Sequence, residues 1–257
     1  MSEQLNLLTA ADGEPVSEIN IPGKSEVLLI CEHASRRLPA KLGTLGLAPA
    51  ALKAHIAWDP GALAVASLMS AALDAALIHQ NFSRLAYDCN RPPEASDAMP
   101  SKSEIYDIPG NASLSRAEKD ARTRAIYQPF GSAIARRISE RKAQARETVL
   151  VTVHSFTPVY RGVSRDVEIG ILHDRDSRLA DQMLRLAGAG SRYRMRRNEP
   201  YGPADGVTHT LKEHGLANGL LNVMIEVRND LVQNEAGQEV VAGFLAGLIR
   251  ESLAIHA

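Results

Sequence analysis

The stretch Val149-Leu150-Val151-Thr152-Val153-His154-Ser155 is an apolar, strand-like run that ends in two polar side chains. Four other stretches share this organisation: residues 27–31 before Glu32-His33, 76–87 before Asp88-Cys89-Asn90-Arg91, 167–172 before His173-Asp174, and 221–227, which carries Glu226, before Arg228-Asn229-Asp230. In open α/β sheets, ligands bind outside the carboxyl ends of the strands, because the loops converge there while the sheet stays rigid. The sequence therefore predicts an enzyme on a parallel or mixed sheet, and the histidines, carboxylates and arginine suggest metal-assisted hydrolysis of a small anionic substrate.

Predicted helices alternate with these runs along the chain. They cover residues 60–76, 115–145, 177–188, 205–218 and 238–256, and a further strand is predicted at 191–195. The run 76–87 is compatible with one strand or with two separated by a break at Asn81-Phe82-Ser83. This alternation is typical of a three-layer α/β sandwich, here with a mixed, largely parallel central sheet. At 257 residues we expect a single domain over 1–257, with 1–24 as an extended lead-in that can add an edge strand.

Local signals place two helix starts and one long loop. Asp59 before Pro60 matches an N-cap followed by proline at the first helical position. Ser115 with Glu118 matches a capping box. Residues 92–112 contain four prolines and show no periodicity. Long irregular loops in compact domains are usually functional or disordered, so this loop is a candidate cover for the active site.

The composition is that of an ordinary globular protein, with 45% hydrophobic and 23% charged residues. The net charge of -1 gives no global field that favours nucleic acid or an anionic membrane. No apolar stretch reaches the roughly 20 residues that span a bilayer, and no signal peptide is evident. Cys31 and Cys89 lie in apolar runs and are expected to be reduced, buried thiols. We therefore expect a cytoplasmic protein.

His33 and His154 each follow a buried run directly. Neutral imidazole is the commonest zinc ligand, and catalytic zinc takes three protein ligands. A lone histidine is more often structural, but two at equivalent strand ends favour a metal site. Asp59 can supply a further ligand, although helix capping explains it equally well.

Arg91 and Glu226 are the two other residues that the pattern selects. Arg91 precedes Pro92-Pro93, which holds its backbone extended, and a guanidinium can grip a substrate carboxylate in a bidentate manner. A structural ion pair is the alternative. Glu226 places a charge in a run fit for a central strand, so it must face a polar cavity, a metal or an arginine. It suits a general base, with an ion pair to Arg228 as the competing explanation.

Other patterns point away from different protein classes. Arg192, Arg194, Arg196 and Arg197 alternate with Tyr193 and Met195 as on a solvent-facing edge strand, without the interleaved aromatics of a nucleic-acid site. Motifs of the types Gly-x-Ser-x-Gly, Walker A, Gly-x-Gly-x-x-Gly and Cys-x-x-Cys are absent from the sequence. Serine hydrolases, nucleotide-binding loops and zinc ribbons are therefore disfavoured.

Taken together, the stretches around these residues resemble the N-formylglutamate amidohydrolase family over about residues 25–231. The matching stretches are Cys31-Glu32-His33-Ala34-Ser35, Trp58-Asp59-Pro60-Gly61-Ala62, Ser83-Arg84-Leu85-Ala86-Tyr87-Asp88-Cys89-Asn90-Arg91-Pro92, Val153-His154-Ser155-Phe156-Thr157-Pro158, Asn198-Glu199-Pro200-Tyr201, Gly206-Val207-Thr208-His209-Thr210-Leu211 and Met224-Ile225-Glu226-Val227-Arg228-Asn229-Asp230-Leu231. That family is similar to the zinc carboxypeptidases and acyl-amino-acid deacylases. The resemblance implies a carboxypeptidase-like mixed-sheet core.

The resemblance also implies roles for individual residues. His33 and His154 would bind one Zn²⁺ ion and Glu226 would be the general base, while Asn90 and Arg91 would hold the substrate carboxylate. The carboxypeptidases take two ligands from His-x-x-Glu, but this chain has His33-Ala34-Ser35-Arg36. The second ligand is therefore expected to be Asp59, with Glu32 as the other candidate. Either Arg84 or Arg228 would contact a second substrate carboxylate or the oxyanion of the reaction. Tyr201 and His214 are secondary candidates for contacts with the substrate.

The sequence thus predicts a zinc-dependent amidohydrolase that removes an N-acyl group, with N-formylglutamate as the leading substrate. Its partner would be a small N-acyl amino acid and not nucleic acid or a membrane. The sequence is compatible with a homo-oligomer and does not fix the oligomeric state. One rival is a deacylase or peptidase of the same fold, although a loop 92–112 that closes as a lid leaves room only for a small substrate. The other is a non-catalytic binding protein that kept the fold.

Overall fold

A computed structural model describes residues 6–188 and 190–255 of the chain. In chain order its strands are β1 (Val16–Ile19), β2 (Val27–Cys31), β3 (Ala76–Gln80), β4 (Lys102–Ser103), β5 (Tyr106–Asp107), β6 (Val149–Phe156), β7 (Val159–Tyr160), β8 (Val163–Ser164), β9 (Ile169–Leu172), β10 (Met195–Arg197) and β11 (Leu221–Arg228). The α-helices are α1 (Ala62–Leu73), α2 (Arg116–Arg122), α3 (Gln128–Ala143), α4 (Arg178–Ala187) and α5 (Glu235–Ala254).

The centre of the molecule is a mixed sheet of seven strands in the order β1-β3-β2-β6-β11-β9-β10. Strands β3, β2, β6 and β11 are parallel to one another. The outer strand β1 is antiparallel to β3, and β9 is antiparallel to β11 and parallel to β10. The pairs β4–β5 and β7–β8 form separate small hairpins. The expected mixed, largely parallel sheet is confirmed, and the lead-in supplies its edge strand β1.

Helices cover both faces of the sheet. Side chains of α1, α4 and α5 pack on one face, against residues such as Leu29, Val151 and Ile225. Side chains of α3 pack on the other face, against residues such as Leu150 and Met224. Both faces are therefore buried, which explains why the central strands are continuous apolar runs rather than alternating ones.

The sheet also fixes which strand ends meet. Because side chains alternate along a strand, His154 and Glu226 point to the same face as Leu150 and Met224. Parallel pairing of β6 with β11 places Glu226 directly beside His154. The carboxyl end of β2, which leads into His33, lies at the same edge of the sheet because β2 is parallel to β6.

Two of the five predicted strand ends differ in the structure. The run 76–87 forms one strand that ends at Gln80, directly before the predicted break at 81–83, and no second strand follows within the described residues 81–91, so Asp88 to Arg91 belong to the loop after β3. The run 167–172 contains β9, but β9 is antiparallel to β11. His173-Asp174 therefore lie toward the edge of the sheet where β11 begins, not at its carboxyl end. Strand direction depends on long-range pairing, which a local apolar pattern does not contain.

Asp59 does not cap a helix, contrary to the expectation. Helix α1 begins at Ala62, and its preceding residue Gly61 has a φ of 82°. A side chain on Gly61 would also meet Val232, with the added Cβ 2.6 Å from Val232 Cγ2. The sharp turn at this glycine frees the Asp59 side chain from the helix and leaves it for the site described below.

Several other elements follow the expectation with shifted bounds. The Ser115–Glu118 capping box is present, and the long helix is interrupted by a π-helical turn over Thr123–Tyr127. The predicted strand at 191–195 is found later, as β10. The segment 205–218 is a π-helical turn (Leu211–Gly215) and 3₁₀ turns rather than one helix. Helix α5 starts three residues early at Glu235, and the last predicted residue, His256, lies outside the described residues.

The remaining expectations concern the loop, the cysteines and membranes. Residues 92–112 are not structureless, because they hold the β4–β5 hairpin. Cys31 and Cys89 are both buried and unbonded to one another, as predicted. Within the part of the chain that the structure describes, none of the helices combines the length and apolar character needed to cross a membrane.

Candidate active site

A cavity of about 500 Å³ lies at the carboxyl edge of the parallel strands. Most of the residues selected from the sequence line it: His33, Asp59, Arg84, Asn90, Arg91, His154, Tyr201 and Glu226. The volume is in the range of small-molecule sites. Side chains from β6, from β11 and from the loops after β2 and β3 and before β11 thus converge on one space large enough for a small substrate.

Three potential metal ligands meet on the inner wall of this cavity. His154 Nδ1 lies 3.0 Å from Asp59 Oδ2, His33 Nδ1 lies 3.2 Å from the same oxygen, and the two Nδ1 atoms are 3.2 Å apart. All three residues are buried. Ligand atoms of a tetrahedral zinc site with bonds of about 2.0–2.1 Å lie about 3.3 Å apart, so both the spacing and the N, N, O donor set fit a metal.

Backbone contacts hold Asp59 against both histidines. The Asp59 amide donates to the His33 carbonyl at 2.9 Å. On the other side, Ser155 Oγ donates to the Pro60 carbonyl at 2.7 Å, and the Ser155 amide is 3.3 Å from Asp59 Oδ2. The turn that Gly61 permits therefore ties the Asp59 carboxylate to the ends of β2 and β6.

A second carboxylate supports each histidine from behind. His33 Nε2 is hydrogen-bonded to Asp88 Oδ1 at 2.7 Å, whereas His154 Nε2 lies 3.1 Å from Glu32 Oε2 in an ion-pair contact without hydrogen-bond geometry. Metal-ligating histidines usually donate their other ring N–H to such a group, which fixes the tautomer and the ring orientation. Glu32 therefore lies behind His154 and does not face the ligand cluster, so it is Asp59 that completes the three-residue cluster.

The three contacts also require positive charge within the cluster. If the ring protons lie on the Nε2 atoms, His33 and His154 each direct the lone pair of Nδ1 toward the other and toward Asp59 Oδ2. Three electron-rich atoms in contact repel one another unless a proton or a metal ion lies between them. The residues present therefore fit a divalent metal.

The electrostatic environment agrees with this reading. Burial by itself lowers the pKa of His154, but Glu32, Asp59 and Glu226 outweigh burial and raise this pKa well above its ordinary value. Burial raises the pKa of Asp59, yet His33 and His154 outweigh burial and lower it. The acidic surroundings thus attract positive charge to the cluster.

Glu226 lies beside the cluster on β11. It is 6% exposed, and its Oε2 atom accepts no hydrogen bond from any of the residues described. Burial raises the pKa of Glu226 to about 7, with Asp59 contributing in the same direction. The competing ion pair with Arg228 is not formed. A buried carboxylate that keeps a free oxygen facing a cavity is suited to exchange protons there.

Arg84 lines the cavity and is bound to two carboxylates, one of the ligand cluster and one behind it. Its Nη2 donates to Asp88 Oδ2 at 2.7 Å, and its Nη1 lies 3.4 Å from Asp59 Oδ1. Burial lowers the pKa of Arg84, but Asp88 and Asp59 outweigh burial and raise it. Arg84 therefore orients both carboxylates, while its contact with substrate stays a prediction.

Asn90 and Arg91 line the cavity with side chains that are already bonded. Asn90 Nδ2 donates to the Val207 carbonyl, and its Oδ1 accepts from the Thr210 amide. Arg91 Nε donates to Asp97 Oδ2 at 2.7 Å, and its Nη1 donates to the Gly206 carbonyl at 3.0 Å. Both residues therefore fasten the segment 206–210 to the loop after β3, and their role as a carboxylate clamp stays a prediction.

Two predicted residues lie outside the cavity. Arg228 donates from Nε to Asp230 Oδ1 at 2.8 Å and lies 3.5 Å from Glu168 Oε1, so its charge is satisfied away from the cluster. His214 is on the π-helical turn, facing Gly131 of α3. Neither residue is in the cavity lining, so the structure does not support a catalytic Arg228 or a substrate-binding His214.

The outer part of the cavity holds residues that the sequence did not single out. His55 Nε2 lies 3.0 Å from Glu104 Oε2, which joins the tip of the β4–β5 hairpin to the cavity rim. The predicted covering loop 92–112 thus reaches the cavity through Ser103 and Glu104. Arg165 enters from the segment after β8, against the Tyr201 ring. No local pattern of the sequence marked Arg165.

Comparison with known proteins identifies a family that covers most of the chain. The model of one family, described as N-formylglutamate amidohydrolase, matches residues 25–233. The chain belongs to the N-formylglutamate amidohydrolase family. The resemblance seen in the sequence is thereby confirmed, and membership implies a hydrolase acting on an amide bond.

Two crystal structures are similar to this member of the family. A gene product from Agrobacterium tumefaciens is 58% identical, with a TM-score of 0.95 and coverage of 97% of this chain and 98% of that chain. The N-formylglutamate amidohydrolase from Ralstonia eutropha JMP134 is 18% identical, with a TM-score of 0.65 and coverage of 94% and 98%. The second likeness shows the fold. No curated protein matches the chain.

Proposed function

We propose that this protein is a zinc-dependent amidohydrolase that removes an N-acyl group, with formyl as the leading candidate, from a small acidic amino acid such as glutamate. One observation carries the proposal: His33 Nδ1, His154 Nδ1 and Asp59 Oδ2 converge within 3.0–3.2 Å beside the buried Glu226, whose Oε2 has no hydrogen-bond partner among the described residues. Family membership supplies the amide bond as the class of substrate.

Zinc held by His33, His154 and Asp59 would polarise the acyl carbonyl and make a water molecule more acidic, to a pKa of about 7. Glu226 would accept a proton from that water as its oxygen attacks the acyl carbon. The same carboxyl group would then give the proton to the leaving nitrogen as the C–N bond breaks. For N-formylglutamate the products are formate and glutamate.

Neighbouring residues support these steps. A cation beside His154 would lower the raised pKa of Glu226 and keep it ionised as a base at neutral pH. Asp88 and Glu32 hold the two imidazole rings in place. Asn90, Arg91 and Tyr201 line the wall where the amino-acid part of the substrate would bind. The cavity of about 500 Å³ favours a small N-acyl amino acid over a long peptide.

The decisive experiment combines metal analysis with a substrate screen on the purified protein. We expect about one equivalent of zinc, as in mononuclear catalytic sites. We also expect release of amino acid from N-formylglutamate in preference to the N-acetyl and N-succinyl derivatives. A metal-free protein that binds N-acyl amino acids without cleaving them would favour the binding-protein alternative instead.

Asp88→Asn is expected to weaken zinc affinity about 10–100-fold, the usual effect of losing a carboxylate that supports a histidine ligand. The asparagine has nearly the same shape but loses the charge 2.7 Å from His33 Nε2. Zinc affinity is measured by competition with a chromogenic chelator. Asp12→Asn is the matched control, because Asp12 is also buried but its carboxylate bonds Thr9 and Ala40, away from the cavity lining. Equal losses in both variants would mean a general effect on folding.

Arg91→Ala tests the predicted carboxylate clamp. If Arg91 grips the substrate, its removal costs on the order of 2–5 kcal/mol of binding and abolishes the preference for free acids over their amides. An exposed ion pair would contribute only about 0–1 kcal/mol. Asp97→Asn is the control, because it removes the Arg91 ion pair and keeps the guanidinium. Unchanged acid preference in Arg91→Ala would assign Arg91 to holding the 206–210 segment.

A further inference from the structure

Three arginines line the cavity, and they differ in how their charge is satisfied. Arg84 is paired with Asp59 and Asp88, and Arg91 is paired with Asp97. Arg165, in contrast, forms no ion pair with any carboxylate among residues 6–188 and 190–255. It is the one cavity arginine whose charge these residues leave unpaired.

Four carboxylates line the cavity: Asp59 and Glu226 belong to the inner wall at the ligand cluster, and the other two, Glu104 and Asp205, are engaged elsewhere. Glu104 lies 3.0 Å from His55, and Asp205 accepts from the Gly202 amide at 2.8 Å. Among the residues that the structure describes, the guanidinium makes one long hydrogen bond, from Nη1 to the Thr157 carbonyl at 3.4 Å, and it lies against Tyr201, whose pKa is raised by burial and lowered in part by this arginine. Most of its N–H donors are therefore available to a ligand in the cavity.

Aromatic rings fix the orientation of this guanidinium. Its carbon lies 4.5 Å from the centre of the Tyr160 ring, 4.8 Å from Tyr201 and 5.6 Å from Phe156. Aromatic residues make up only 4% of the chain, so three around one arginine is an unusual concentration. The rings exclude water and restrict the side chain, which strengthens any charge-assisted hydrogen bond that it makes.

We infer that Arg165 binds a carboxylate of the substrate and thereby sets the preference for an acidic substrate. A rigid, partly buried guanidinium without an internal counter-charge matches a carboxylate in bidentate geometry. The inference rests on the proposed function for the identity of the ligand, because an N-acyl amino acid carries an α-carboxylate and, if acidic, a second one. Carboxylate binding itself needs no turnover, so the two can be tested separately.

Calorimetric titration with the amino-acid product tests the inference. The ligands are L-glutamate, L-glutamine, which lacks the side-chain carboxylate, and L-isoglutamine, which lacks the α-carboxylate. Arg165→Met is expected to weaken glutamate binding about 10–100-fold, the loss that follows removal of hydrogen bonds to a charged group. One of the two amides lacks the carboxylate that Arg165 holds, and this amide should bind equally weakly to wild type and variant. Which amide behaves in this way shows which carboxylate Arg165 binds.

Two further variants make the outcome decisive. Arg165→Lys keeps the charge and the packing stem but loses the planar fork, so an intermediate loss is expected, and this variant decides the matter if Arg165→Met does not fold. Arg161→Met is the matched control, because Arg161 stacks on the same Tyr160 ring at 5.4 Å but is exposed and outside the cavity lining.

Three results would overturn the inference: unchanged glutamate affinity in the Arg165 variants, an equal loss in Arg161→Met, or no glutamate binding by the wild type. Amide hydrolysis is measured on the same samples. Arg165-dependent carboxylate binding without any hydrolysis would leave the inference standing and overturn only the proposed function.

Discussion

His154→Ala is expected to lose its zinc while the protein stays folded. The substitution removes one of three ligand atoms that lie 3.0–3.2 Å apart, and two ligands do not hold zinc in a catalytic site. The remaining ligands are positioned by the sheet and by backbone contacts to Asp59 rather than by the metal. The measurement is zinc content by atomic absorption, with circular dichroism as the check on folding.

Two other variants guard against a misleading result. Asp59→Asn keeps the shape of the side chain and removes the ligand charge, so it should also lose zinc. This variant decides the matter if His154→Ala proves unstable because Glu32 is left unpaired. His55→Ala is the control, because His55 lines the same cavity but pairs only with Glu104. Stoichiometric zinc in His154→Ala would show that the cluster is not the metal site. Chelation of the wild type should remove activity reversibly.

Glu226→Gln is expected to lower kcat by about 10²–10⁴-fold, the usual range for a positioned general acid or base. The amide has the same volume but cannot accept a proton from water at neutral pH. Zinc content and substrate affinity should stay near those of the wild type. Because burial already raises the pKa of Glu226 to about 7, a neutral side chain is no harder to bury, and the melting temperature should not fall.

The structure sharpens the alternative reading of Glu226. If this residue were the partner of Arg228, its loss would leave a buried charge unpaired and cost about 3–5 kcal/mol. Arg228 instead contacts Asp230 and Glu168, so Glu168→Gln is the matched control for loss of a structural carboxylate. Near-normal kcat in Glu226→Gln with a large fall in melting temperature would exclude the role of base.

The sequence alone determined the architecture and the position of the site. Continuous apolar runs such as 149–153 require burial on both faces, and that requirement with alternating helices specifies a three-layer fold. His33 and His154 could be selected because parallel strands bring their carboxyl ends together, so position along a strand predicts proximity. The order of the motifs was also enough to predict the family.

Only the tertiary structure decided the direction and the partner of each side chain. Asp59 was equally compatible with a helix cap until the turn at Gly61 showed its carboxylate between the two histidines. Asp59 was preferred to Glu32 as a ligand in the sequence, but only the fold gives the physical reason, because Glu32 lies behind His154. The free charge of Arg165 was likewise invisible, because whether an arginine is paired depends on acids from distant segments. Local sequence restricts backbone conformation, whereas the environment of a charge is set by contacts between residues far apart in the chain.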